Sequence, residues 1–191
     1  LNCGIFDMEY ILLDDSSTDE TLNIMAEFSF DSRIKVSVND KNLGLASSCN
    51  RAISMSRGKY VMRVDADDAL IPGLFRSAYP EMVEMIEKTG SAIVCPSFYM
   101  VNEFGGYMSP AINPGIDHHV GGALMDKRVI NEIRFKDSLR HWDGLELYSR
   151  IKEMGKDVSL IDTPTWLYRQ HEGSLSRSEP ELRVATKPIV Q

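Results

Sequence analysis

The sequence predicts an α/β domain built on a mostly parallel, Rossmann-like sheet flanked by helices. Two observations carry that expectation. Strand and helix signals alternate from Tyr10 to Cys95, the order that parallel strands with crossover helices require. Two acidic clusters, Asp14-Asp15 and Asp65-Ala66-Asp67-Asp68, close predicted strands, and ligands of such sheets bind beyond the carboxyl ends of the strands.

The first strand is the apolar run from Tyr10 to Leu13. After the acidic turn, Ser17 and Glu20 have the spacing of a capping box, and Leu22, Met25 and Ala26 follow at helical intervals. Ile34, Val36 and Val38 alternate as a second strand. The turn Asn42-Leu43-Gly44 leads into a helix marked by Leu45, Cys49, Ala52 and Ile53 and closed by Gly58. Tyr60, Met62 and Val64 form the strand that ends in the second acidic cluster. Leu74, Phe75, Ala78, Met82 and Met85 outline a helix to about Lys88, and Ala92 to Cys95 is a buried strand.

The second half is less periodic. It predicts a hairpin over Phe98 to Ile112, a Gly- and Pro-rich loop and a short strand near Gly121 to Met125. A helix from Asp143 to Met154, stopped by Gly155, precedes a strand at Val158 to Ile161 and a segment Trp166 to Gln170 that delivers His171. Residues 1–178 read as one domain and residues 179–191 as a mobile tail.

Composition narrows the partners. With 191 residues and 43% hydrophobic content, one substantial core can form. A formal charge of -7 argues against binding a nucleic-acid polymer, whereas a small anion paired with a cation remains compatible. Cys3, Cys49 and Cys95 are odd in number and lack ligand spacing, which fits reduced thiols in a cytoplasm. No apolar stretch approaches the roughly 20 residues that cross a bilayer.

Three carboxylates within four positions, Asp65, Asp67 and Asp68, repel one another unless a cation or donors neutralise them. Hard divalent ions take such ligands, Mg²⁺ through one or two carboxylates plus substrate phosphates. An acidic turn capping the following helix is the simpler alternative. An EF-hand is excluded, because Leu70 and Arg76 occupy its glycine and glutamate positions.

Read in order, these motifs resemble family 2 glycosyltransferases of the GT-A fold. Tyr10 to Asp19 is similar to that family's strand and DDGSTD turn, with Ser16 in the usual glycine position. Asn42-Leu43-Gly44, Asn50-Arg51-Ala52 and Gly58-Lys59-Tyr60 match the next stretch, and Val64 to Asp68 matches its DxD element. Tyr168-Arg169-Gln170-His171 through Ser176 is similar to a late RxH..S.S segment.

The resemblance implies transfer of a sugar, with inversion, from a nucleotide-diphosphate donor, a UDP-sugar, to a hydroxyl of a carbohydrate or glycolipid acceptor, in surface polysaccharide or glycoconjugate synthesis. It assigns Asp15, with Asp14, to the nucleobase and Asp65 to the ribose. Asp67 and His171 would hold Mn²⁺ or Mg²⁺. Lys41 and Arg51 are further cationic candidates for the nucleotide. Asp143 would be the general base and Glu146 its alternate, although Glu146 is also spaced to pair with Arg150; Gly144 stands where a second acid is expected. The resemblance further implies work at the inner face of a membrane, by peripheral association. It also implies an opening strand inside the sheet that this sequence does not display, which would leave a raw sheet edge. A non-catalytic sugar-nucleotide binding module and a DxD phosphohydrolase are the rival readings.

Overall fold

The computed structural model describes residues 7–112, 120–139 and 143–172. Seven strands and five α-helices are defined there. They are β1 (Tyr10–Asp14), α1 (Thr21–Ala26), β2 (Ile34–Val38), α2 (Leu45–Met55), β3 (Tyr60–Met62), β4 (Ala69–Leu70) and α3 (Pro72–Glu84), which continues as a π-helical turn over Met85–Thr89. After these come β5 (Ile93–Asn102), β6 (Leu124–Asp126), α4 (Lys127–Ile133), α5 (Asp143–Glu153) and β7 (Val158–Gln170). Cys3, His118, His119 and residues 179–191 lie outside the described residues.

The α/β expectation holds, but the sheet is mixed instead of mostly parallel. β1 and β2 pair in parallel by themselves, and the other strands form a five-stranded sheet in the order β3-β6-β5-β7-β4. In that sheet only β5 and β7 run parallel, while β3–β6, β5–β6 and β4–β7 are antiparallel. The second half of the chain folds back between elements of the first, and this supplies the antiparallel neighbours. Among the described residues no strand joins β1 to β3, so each sheet presents an edge there.

Period-two alternation builds the core. Ile93 and Cys95 on β5 face one cluster with Ala46 and Ile53 of α2, Ile130 of α4, and Leu147, Tyr148 and Ile151 of α5. Val94 faces the other way, onto Ala78 and Met82 of α3, with Ile86, Leu124 and Ile161. Each face of the central strands is thereby covered by helices, and burial of these side chains is the main stabilising term.

Local differences from the sequence pattern have physical causes. The capping box does not form: Asp19 Oδ1 accepts the Thr21 N–H at 3.0 Å, while Ser17 donates its backbone N–H to Asp14 at 3.2 Å. α1 buries none of its side chains, since a two-stranded sheet offers it little apolar surface. β5 runs through Pro96 to Asn102, because a register shift beside Pro96 accommodates the missing N–H. The strand expected at Val158 to Ile161 and the segment Trp166 to Gln170 form one strand, β7. The short strand expected at Gly121 to Met125 begins three residues later, at Leu124, and ends at Asp126, which caps α4 by accepting the Arg128 N–H at 2.9 Å.

Two close approaches require glycine. Gly144 in α5 packs on Val120, whose Cγ2 would lie 2.7 Å from any added Cβ, so the acid that the family pattern suggests has no space there. Gly122 has φ +68° and a Cβ added to it would fall 2.6 Å from Cδ1 of the buried Trp166. Backbone strain and overpacking together predict that Gly122→Ala lowers the unfolding free energy by about 2–4 kcal/mol, read as the shift of a urea denaturation midpoint.

Candidate active site

The acidic turn Asp65–Asp68 joins the two edge strands of the five-stranded sheet, β3 and β4. It closes on itself through the Asp68 N–H, which donates to the Asp65 carbonyl at 3.0 Å. Each carboxylate has a different environment. Asp65 is gripped by Arg63 from two positions earlier, with Nε 2.7 Å from Oδ1 and Nη2 3.0 Å from Oδ2. The Nη2 contact is a hydrogen bond and the Nε contact a close ion pair, since Nε makes no hydrogen bond. Asp67 is exposed, and its Oδ2 lies 3.1 Å from His171 Nε2, just past the end of β7. Two sequence candidates separated by 104 positions thus meet.

Asp68 points inward. Its Oδ1 accepts the Arg169 N–H at 2.9 Å, and its Oδ2 is buried without a hydrogen-bond partner among the described residues. Burial, reinforced by the Asp65 and Asp67 charges, pushes its pKa up to about 7 despite the Arg169 N–H. Asp68 therefore ties the turn to β7 and does not cap the helix that follows.

Arg169 completes this tie. Its Nε donates to the Asp67 carbonyl at 2.8 Å, and its Nη1 to the Glu103 carbonyl at 2.7 Å and the Asn102 carbonyl at 3.3 Å. One guanidinium holds the acidic turn, the end of β5 and the end of β7 in a single rim. Arg63 and Arg169 were not singled out in the sequence. Period two places Arg63 on the face of Asp65, and Arg169 stands within the RxH segment.

The first acidic cluster behaves differently. Asp15 Oδ1 accepts from Asn39 Nδ2 at 2.6 Å and from the Leu43 N–H at 2.8 Å, and Oδ2 accepts the Gly44 N–H at 2.8 Å. Burial acts to raise the Asp15 pKa, but the hydrogen bonds from Leu43, Asn39, Gly44 and Ser48 outweigh it and hold the carboxylate below its ordinary range. Asn39 is buried and also donates to Ser48 Oγ at 2.9 Å. Asp15 thus anchors the turn before α2. Asp14 is buried beside it. Ser16 between them and Ser17 has φ +64°, the conformation that makes glycine usual at this turn.

Arg51 donates to the Val38 carbonyl at 2.8 Å, to Asn39 Oδ1 and to Ser37 Oγ at 3.1 Å, so its guanidinium clamps the end of β2. Lys41 is exposed on the following turn. Glu146 forms an ion pair with Arg150 at 2.7 Å, and Arg150 also donates to the Ile133 and Arg134 carbonyls. The ion-pair reading of Glu146 thereby has geometric support. Asp143 opens α5, and its side chain lies outside the described residues.

The sequence profile of Glycosyl transferase family 2 matches residues 4–169, which span both acidic turns and end two residues before His171. The chain belongs to this family. It is 25% identical over 201 residues to glycosyltransferase GlyG of Streptococcus pneumoniae, covering 92% of this chain and 65% of GlyG. Over 185 residues it is 27% identical to an Escherichia coli protein named UDP-Glc:alpha-D-GlcNAc-diphosphoundecaprenol beta-1,3-glucosyltransferase WfaP, covering 90% and 69%. Among solved structures, S. aureus TarS in complex with UDP-GlcNAc superposes with a TM-score of 0.69 at 19% identity, over 90% of this chain and 52% of that one. That likeness shows the GT-A fold. The chain spans roughly half to two-thirds of these relatives.

Asp67 and His171 are the described side chains that could take part in holding a hard divalent cation. They converge from different elements, and the buried Asp68 Oδ2 is an acceptor lacking a donor. Among the described residues no group of three or more His, Cys, Asp and Glu is placed to hold a metal. The protein can therefore offer a partial shell that substrate oxygens and water would complete.

The Asp68 environment also has a pH signature. Its folded pKa of about 7 exceeds an unfolded value of about 3.9. Its stabilising contribution is complete below the unfolded value and is lost as pH rises through the folded one. After allowance for solvent screening, metal-free wild type should lose about 1–2 kcal/mol relative to Asp68→Asn between acidic and mildly alkaline pH, measured by urea unfolding in chelator.

Proposed function

We propose that this chain transfers a glycosyl unit from a UDP-sugar to a hydroxyl of a carbohydrate or glycolipid acceptor, with inversion and with Mn²⁺ or Mg²⁺, in the assembly of surface polysaccharide or glycoconjugates. The observation that carries the reading is the meeting of Asp67 and His171 on the carboxyl rim of the sheet. Supporting it, TarS has been captured with UDP and with UDP-GlcNAc, and the name of WfaP specifies a UDP-sugar donor and a lipid-linked acceptor.

In this reading Asp67 and His171 hold the cation, and the donor diphosphate supplies further oxygens. The bound ion would neutralise charge on the departing diphosphate. Asp65, immobilised by Arg63, faces the ribose. Asp14 and Asp15 shape the nucleobase end, where Asp15 acts chiefly by fixing the turn at Leu43 and Gly44. Asp143 takes the proton of the acceptor hydroxyl as that oxygen bonds to the anomeric carbon and the carbon–phosphate oxygen bond breaks. Leu147, Tyr148 and Ile151 are buried, and they hold the helix that carries this base against the core. No helix among the described residues is long and apolar enough to cross a membrane.

Calorimetric titration of UDP tests the reading. Binding should require Mn²⁺ and weaken by at least about tenfold in Asp67→Ala, whereas Asp143→Asn should keep UDP binding and lose about 10²–10⁴-fold in transfer. Equal UDP affinity in chelator and in Asp67→Ala would overturn the metal role. Full binding by a wild-type chain that supports neither transfer nor donor hydrolysis would favour a binding module.

A further inference from the structure

The first turn of α5 rests on Val120. A Cβ added at Gly144 would fall 2.7 Å from Cγ2 of Val120, 3.5 Å from its backbone N and 3.8 Å from its Cβ, so the three nearest atoms all belong to that residue. Val120 is 2% exposed and shares its core cluster with Leu147, Tyr148 and Ile151 of the same helix. The far half of α5 is held separately, by Arg150 donating to the Ile133 and Arg134 carbonyls. The helix is thereby seated at two places, and Val120 is the seat at the end that carries Asp143.

Val120 is itself fixed to the segment that leads into the DxD turn. Gly121 bridges Arg63 in parallel, and the Gly122 N–H donates to the Arg63 carbonyl at 2.9 Å. The Ala123 N–H returns to the Val120 carbonyl at 3.2 Å, closing a turn in which Gly122 takes φ +68°. Trp166, 1% exposed, packs against this turn: Cβ atoms added at 121 and 122 would fall 3.0 Å from its Cη2 and 2.6 Å from its Cδ1. Arg63 in turn holds Asp65 through the Nη2 hydrogen bond at 3.0 Å. A continuous line of contacts therefore runs from Asp65 through Arg63 and the 120–123 turn to the backbone of Gly144, and close-packed interiors transmit small displacements along such lines.

We propose that Val120 is a positioning residue for glycosyl transfer: by seating the Gly144 backbone it sets where α5 begins, and so where Asp143 stands relative to the DxD turn. This rests on the reading of Asp143 as the base. Asp65 and Asp67 follow β3 and His171 follows β7, whereas Asp143 belongs to α5, so packing between elements has to fix their separation. Reacting groups need to be held within about 0.5 Å of productive geometry by the residues that support them. Gly144 brings bare backbone to the contact, which leaves the spacing to the size of the side chain at 120. Val120 Cγ2 fills the room that a side chain at 144 would need.

Release of UDP from UDP-glucose or UDP-GlcNAc with Mn²⁺, water serving as acceptor, tests the proposal beside calorimetric titration of UDP. In that reaction the water oxygen bonds to the anomeric carbon, UDP leaves and Asp143 takes the water proton. Gly144→Ala, although it favours the helix by propensity, should lower kcat about 10–100-fold and leave UDP affinity within about twofold. Val120→Ala removes the clashing Cγ2, so the double variant Gly144→Ala/Val120→Ala should recover kcat to within about threefold of wild type. Val120→Ala alone unseats the helix and should lower kcat about three- to tenfold at unchanged UDP affinity. A merely structural contact would lower the urea midpoint and leave kcat per folded molecule unchanged. Full kcat in Gly144→Ala, a parallel loss of UDP affinity, or a double variant no better than Gly144→Ala would each overturn the proposal. Asp143→Asn separates the two readings. Its loss of turnover beside full turnover in Gly144→Ala removes only the positioning role, whereas full turnover in Asp143→Asn, or none in wild type, removes the base reading and the positioning role with it.

Discussion

The rim of this protein depends on Arg169. Its guanidinium and backbone N–H reach carbonyls at 67, 102 and 103 and the carboxylate of Asp68. These groups belong to the acidic turn and to the end of β5, while Arg169 itself belongs to β7. A short turn carrying three carboxylates would repel itself and spread, and a fixed multidentate donor opposes that tendency. Arg63 supplies the second restraint, through one hydrogen bond and a close ion pair with Asp65. With two of the three carboxylates committed to the scaffold, Asp67 is left to meet His171.

The two acidic clusters divide the work between shape and chemistry. Asp15 is saturated by donors from the turn before α2, and Asn39 and Arg51 extend that network to β2. Its contribution is a rigid wall at the end of β1. The DxD turn keeps an exposed carboxylate and a buried acceptor without a donor, an arrangement that is costly in isolation and compatible with a cation.

Much of this arrangement was accessible from sequence because the signals were local. Apolar runs at Tyr10, Ile34 and Ile93, helical spacing in α2 and α3, and Gly155 after α5 each depend on nearby residues. Long-range pairing was less accessible. The segments Val158 to Ile161 and Trp166 to Gln170 read as distinct, yet pairing with β5 holds both in one strand through a bulge. α4 was missed because seven residues display too little periodicity, and its capping Asp126 is itself the last residue of β6. The mixed sheet likewise follows from which distant strands become neighbours. In the site, the pairing of Asp67 with His171 was implied by family resemblance, whereas the internal roles of Asp15 and Arg51 depend on donors contributed from other elements.

The central claim is that Asp67 and His171 together hold the ion that serves the donor diphosphate. Pulsed electron paramagnetic resonance of Mn²⁺ bound with UDP examines it directly, because a coordinated imidazole couples its nitrogen to the electron spin. The account predicts nitrogen modulation in the wild-type complex that disappears in His171→Gln while Mn²⁺ remains detectable through UDP. A metal-dependent UDP complex with no nitrogen coupling, or with coupling that survives His171→Gln, would contradict it.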